Sequence, residues 1–248
     1  MLRKSFIIFS GIGRKRESAL WKKGVNDWRD LAALRQAERD GRICREIAIA
    51  EERYESRDAG YFFDMLPASQ LWRMLGDFQD ELAYIDLELD GWGRYARPTV
   101  LGICRKGTFR CLVRGSDLKQ GPLEDALEGS RVIVTYNGRR HDLHYMRSLL
   151  PKELWDIRVI DLRYIAQIAG FSGGLKSLER DTGIVRRRYV ELAASGQTAQ
   201  LWKTWSRKGS RGALELLKAY NREDTCNLVP IALKLCSILK ERVVADVI

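Results

Sequence analysis

The residues of this chain whose types and spacing can do chemistry are Asp86-Leu87-Glu88, Asp142, and the pair Tyr220 and Asp224. The four carboxylates arrive in three packets, each where an apolar stretch ends. Tyr84-Ile85-Asp86-Leu87-Glu88-Leu89 alternates with the period of a strand. Asp86 and Glu88 therefore leave one face, while Ile85, Leu87 and Leu89 leave the other. Two carboxylates on one buried face repel each other and lose solvation; a bound cation removes both costs and points to a divalent metal. Oxygen ligands, with no Cys or His at ligand spacing, favour Mg²⁺ or Mn²⁺ over Zn²⁺. Without cations the four carboxylates are expected to repel one another and splay.

The other two packets need particular elements to carry them. Val132-Ile133-Val134-Thr135-Tyr136 reads as a buried strand that ends in the Asn137-Gly138 turn, with Asp142 at the start of a helix. An Asp there also has a plain role, since it favours the helix dipole by roughly 0.3–1 kcal/mol. Leu214 to Thr225 is helical, so Tyr220 and Asp224, four apart, share a face. Strands are expected at Ala83–Leu89, Thr99–Arg105, Phe109–Arg114 and Arg131–Tyr136, and helices from about His141, Leu162, Gly174 and Gly212. This order implies an α/β fold, a mixed sheet with helices on its faces. Upstream, the pattern is helical from Phe6 to about Leu34 and again from Leu31 to Glu52, with a break at Asp40-Gly41. A looser stretch, Glu55 to Pro67, carries Tyr61-Phe62-Phe63, expected where two modules meet, and Ser69 to Phe78 reads as a helix.

The chain has 248 residues, enough for one large domain or an ordinary domain with an appendage. Lys and Arg outnumber Asp and Glu by 43 to 33, a net charge of +10 that suits a polyanion, nucleic acid before membrane. Five cysteines without a C-x-x-C pair read as reduced thiols, and no apolar run approaches the ~20 residues of a membrane span. A soluble, cytoplasmic protein is expected.

The acidic packets resemble the three exonuclease motifs of the DEDD (DnaQ-like) superfamily, 3′→5′ exonucleases of ribonuclease H-like fold: D-x-E at Asp86 and Glu88, N-G-x-x-x-D at Asn137 to Asp142, and Y-x-x-x-D at Tyr220 and Asp224. Tyr at position 220 is similar to the Tyr-bearing branch. Tyr61-Phe62, Leu66-Pro67, Trp72-Arg73, Leu175-Lys176-Ser177-Leu178-Glu179 and Gly183-Ile184 resemble the YprB-like subfamily. The resemblance implies a ribonuclease H-like mixed sheet flanked by helices at residues 67–248, preceded by a small all-α module at 1–66. It implies that Asp86, Glu88, Asp142 and Asp224 hold two divalent cations, that Tyr220 orients or helps to deprotonate the attacking water, and that Asn137 positions the terminal nucleotide or braces its motif. The family's D-x-E-T-T-G is replaced by Asp86-Leu87-Glu88-Leu89-Asp90-Gly91, which leaves the ligands intact and alters the part that handles the terminal nucleotide.

Residues expected to touch nucleic acid fall in three places. Gly11-Ile12-Gly13, followed by Leu20 and Gly24-Val25, matches a helix-hairpin-helix pattern, with Arg14 and Lys15 beside it; backbone N–H groups and a helix start there suit a phosphate. Trp92 stands where a base could stack. Arg186-Arg187-Arg188, with Trp202 and Trp205 downstream, suits a single strand, although such a run also reads as a solvated basic loop. Single-stranded DNA with a free 3′ end is favoured over RNA because of the hairpin motif. A catalytically silent binding module and a structure-specific endonuclease are the alternatives.

Overall fold

Three aspartates begin helices in the N-terminal third by accepting hydrogen bonds from backbone amides that the helix leaves unpaired. The computed structural model describes residues 1–93, 95–138, 145, 158–187, 190 and 197–245. After α1 (Arg14–Lys22), Asp27 caps α2 (Trp28–Ala37), Asp40 caps α3 (Gly41–Glu55) and Asp58 caps α4 (Ala59–Met65). The expected helix from Phe6 therefore starts later, at Arg14, and is broken at residues 23–27. The "looser" aromatic stretch is helix α4. Its Phe62 is fully buried, stacked on Trp28 at 6.0 Å and tilted against Phe78 at 5.2 Å, as part of an aromatic core. The helix expected from Ser69 is instead a 3-10 helix, Ala68–Met74, after Pro67.

Contacts divide the chain into two compact units, Met1–Gln79 with Ala232–Ile248, and Asp80–Ile231. The second unit is built on a mixed five-stranded sheet of β1 (Leu82–Leu89), β2 (Pro98–Arg105), β3 (Thr108–Val113), β4 (Val132–Thr135) and β5 (Arg158–Asp161), in the order β3-β2-β1-β4-β5. β1, β2 and β3 pair antiparallel; β1, β4 and β5 pair parallel. The turn from β2 to β3 is Lys106-Gly107, both at positive φ, the two-residue turn whose twist matches a hairpin. α5 (Gln120–Leu127) covers one face, where Leu123 and Leu127 meet Ile85, Leu87, Leu101 and Ile103. α6 (Leu162–Ile168) and α7 (Leu175–Thr182) follow β5. α8 (Thr198–Lys208) and α9 (Arg211–Cys226) cover the other face, with Trp202, Leu214 and Leu217 against Val100 and Val113. The last helix is α10 (Leu228–Ala245).

The architecture is the α/β fold the sequence implies, a mixed sheet flanked by helices and preceded by an all-helical region. β5, α5 and α8 are elements that sequence reasoning missed. The helix expected from His141 lies outside the described residues.

Candidate active site

β1 pairs with β4 only from Leu82 to Tyr84, so Asp86 and Glu88 sit on the end of β1 that runs past its parallel neighbour. The chain leaves β1 toward β2 and β3 on one side and returns to β4 on the other. That reversal at the carboxyl ends of parallel strands is where open α/β sheets bind ligands. Ile85 and Leu87 point into the α5 side, which turns Asp86 and Glu88 toward α9. Opposite Asp86 on β2 is Gly102. A Cβ there would lie 2.1 Å from Thr225 Oγ1 and 2.4 Å from Asn221 Oδ1, so the missing side chain is what admits α9 to the sheet.

On α9, Leu214, Leu217, Tyr220, Asn221, Asp224 and Thr225 are buried at helical spacing, and Ser210 caps the helix through Ala213 N. The helix thereby brings Asp224 to the strand: ligand oxygens of Asp86, Glu88 and Asp224 all lie within 4.8 Å of one another. Asn221 fixes the arrangement. Its Nδ2 donates to the Asp86 carbonyl at 3.0 Å and to Asp86 Oδ2 at 2.9 Å, which locks that carboxylate against rotation. Asn221→Ala is expected to leave the fold intact and lower metal-dependent hydrolysis about 10–100-fold, the usual effect of losing a residue that orients a metal ligand. Full activity in that variant would remove Asn221 from the site. Gly102→Ala is expected to destabilise by about 1–3 kcal/mol, because Thr225 and Asn221 must give way. Chemical denaturation measures it, and an unchanged midpoint would mean that α9 can yield at no cost.

The three described carboxylates, Asp86, Glu88 and Asp224, lie together. Arg186 is buried among them and forms an ion pair with Asp224, while its Nε and Nη2 hold Glu179 at 2.5 and 2.8 Å. Burial works against the Arg186 charge, but Glu179 and Asp224 hold it above the ordinary arginine value. Burial pushes the Asp224 carboxyl up to about 6, against the pull of Arg186 and of a hydrogen bond from Tyr220. The Tyr220 phenol is raised by burial and by the carboxylates of Asp224, Glu88 and Asp86, with Arg186 opposing. Tyr220 is therefore a protonated donor near neutral pH, and Lys176 lies 5.3 Å from the centre of its ring.

Residues 83–236, well over half of the chain, match the sequence profile of the RNase_H superfamily. The chain belongs to the RNase_H superfamily. A search of the curated proteins finds no match. Membership in the RNase_H superfamily carries a nuclease-type function: hydrolysis of phosphodiester bonds in nucleic acid, with divalent metals held by acidic residues. The chemistry of the donors fits such a metal, since Asp86, Glu88 and Asp224 offer hard oxygen atoms that converge without Cys or His. No helix among the described residues is long and apolar enough to cross a membrane.

The remaining expected site residues of this RNase_H superfamily chain lie as follows. Asp142 and Arg188 fall outside the described residues, as do His141 and His144. Asn137 follows β4 in a left-handed conformation that Asn tolerates; its N–H donates to Asp161 Oδ1 at 2.8 Å and its Oδ1 accepts from Arg163 at 2.8 Å. Asp161 also caps α6, so Asn137 is tied to the end of β5. Trp92 is 92% exposed, and Tyr95, on the same loop, is 78% exposed. The unusual Asp90 closes the base of that loop through Arg97 N at 2.8 Å and pairs with Arg114 at 2.8 Å, which accounts for its place in the altered motif. Arg187 is partly exposed and paired with Glu223 at 2.6 Å. In the first unit, Gly11 accepts from Arg16, Ile12 is buried, Gly13 begins α1, and Arg14 and Lys15 are exposed. Sequence reasoning missed Gly102, Asn221 and Glu179 as site residues; it expected Arg186 to touch nucleic acid, with a solvated basic loop as the other reading, and did not foresee its pairing with Glu179 and Asp224.

Proposed function

We propose that the protein is a 3′→5′ exonuclease of the DEDD type, Tyr branch and YprB-like, that removes nucleotides from the 3′ end of nucleic acid in the cytoplasm. The observation that carries this reading is the convergence of Asp86, Glu88 and Asp224 with Tyr220 one turn earlier on the same helix. Asp86, Glu88 and Asp224, completed by Asp142, hold two divalent ions, Mg²⁺ or Mn²⁺. Such ions supply an activated water and stabilise the departing 3′-oxygen. Tyr220, kept protonated by burial and its acidic neighbours, orients that water rather than deprotonating it. Trp92 stacks on a base near the scissile end, and Asn137 braces the second motif. Gly11-Ile12-Gly13 with Arg14 and Lys15 anchors a phosphate, which favours single-stranded DNA over RNA.

The test is degradation of 5′-labelled single-stranded DNA and RNA by wild type and Asp86→Ala, in Mn²⁺ or EDTA. A ladder that shortens from the 3′ end, needs metal and disappears in the variant is expected. Intact strands that are nonetheless bound would replace the enzyme with a binding module, and cleavage of a circular strand would make it an endonuclease.

A further inference from the structure

Arg186 is an unusual component for a site meant to collect cations. A buried ion pair is costly unless its geometry is right, because both partners give up water. Asp224 alone could be neutralised by Arg186, yet the structure adds Glu179, also buried and further held by Asn227 Nδ2 at 2.8 Å. Glu179 and Arg186 together contribute no net charge to the cluster. What Glu179 adds is direction: it takes Nε and Nη2 of the guanidinium in a two-point grip and leaves Nη1 facing Asp224. The ring of Tyr220 lies 5.8 Å from the guanidinium carbon and flanks it. A donor aimed in this way at the cluster meets whatever anion occupies it.

On the reading of the site as a phosphodiester hydrolase, we infer that Arg186 is a catalytic phosphate ligand. Clamped by Glu179, it exchanges Asp224 for a non-bridging oxygen of the scissile phosphate when that carboxylate turns to the divalent ions. No bond to Arg186 forms or breaks; its charge offsets the negative charge that grows on the phosphoryl oxygens as water attacks. Asp224 and the substrate thus share one donor in succession.

Removing Arg186 alone would strand Glu179, so the test uses the paired variant Glu179→Gln/Arg186→Gln beside Arg186→Lys, Asp86→Asn and wild type. Hydrolysis of 5′-labelled single-stranded DNA in Mn²⁺ is read together with the Mn²⁺-induced melting shift. Binding in Ca²⁺ is measured for the same strand with either a native or a methylphosphonate terminal linkage. The paired variant is expected to keep the melting shift and to lose about 10²–10³-fold in kcat, as when one donor to a developing charge is removed. Wild type and Arg186→Lys should bind the native linkage more tightly, wild type by about tenfold or more, and the paired variant should discriminate less, by the part that the cations alone supply. Hydrolysis at the wild-type rate, or unchanged discrimination, in a paired variant that keeps its melting shift would overturn the role of Arg186 while leaving the exonuclease reading intact. A wild type that shifts with Mn²⁺ but cleaves nothing would overturn that reading and this inference with it.

Discussion

Glu17→Ala is expected to destabilise the N-terminal unit by about 3–5 kcal/mol, the usual effect of removing one partner from a buried ion pair. Glu17 and Arg73 are each about 1% exposed and face each other in a two-point grip, Nη1 to Oε1 at 3.0 Å and Nη2 to Oε2 at 2.8 Å. Around them, Ser5 and Gln70 accept from Arg73, and the Phe6 amide donates to Glu17 at 2.7 Å. Burial already pulls the Arg73 pKa below its ordinary value, and Glu17 is what opposes that pull. Alanine would leave the guanidinium with two neutral acceptors and no counter-charge, and would leave the Phe6 N–H without its acceptor. For a chain of this size the melting temperature should fall by about 2–4 °C per kcal/mol, roughly 6–20 °C in all. Glu17→Gln keeps the acceptor for Phe6 and should lose less. A loss below about 1 kcal/mol in Glu17→Ala would mean that water reaches Arg73 and that the pair is not sealed.

The same pair shows why part of the fold could not be read in the sequence. Arg73 answers a residue 56 positions away, so residues 68–79 belong with the first compact unit through a tie that no local pattern announces. β1 to β4 were legible because alternation or continuous apolar residues run through them. β5 is only Arg158-Val159-Ile160-Asp161, too short for a period, and its partner β4 is what makes it a strand. α5 carries Gly121 and Pro122 in its first turn, where Pro is tolerated but where the pair reads as a loop. Asp58 starts α4 directly after a residue at positive φ, Arg57, so the break there reads more strongly than the helix that follows.

At the site, residue type was the legible part and mutual placement was not. Asp86 and Glu88 announced themselves because carboxylates interrupt an apolar strand, and Asp224 because it completes a spacing with Tyr220. Asn221 gives no such sign: an Asn on an amphipathic helix reads as a surface residue until Gly102 is known to lie opposite it. Arg186 belongs to a run of arginines, and such runs are usually solvated. Its true partner, Glu179, lies across the end of α7 at Gly183, where helical spacing no longer relates the two residues.

Asp224→Asn should separate metal binding from everything else the cluster does. In wild type, Mn²⁺ at about 100 times its dissociation constant should add about 2.7 kcal/mol of stability, if it binds only the folded chain. For this chain length that corresponds to a rise of roughly 5–10 °C in melting temperature. Asn at position 224 keeps the shape and can still accept from Arg186, but it offers the cation no charge, so the rise should vanish. In metal-free buffer the same change should matter little or even stabilise slightly. It removes a carboxyl whose ionised form burial already disfavours, and Arg186 keeps Glu179. Hydrolysis should fall by at least the 10²–10³-fold that one lost donor to a developing charge produces, because the lost ligand serves cation and substrate together. Equal melting shifts in the two proteins would place the cation away from Asp224, and the three converging carboxylates would then need another explanation, with Arg186 as their permanent counter-ion.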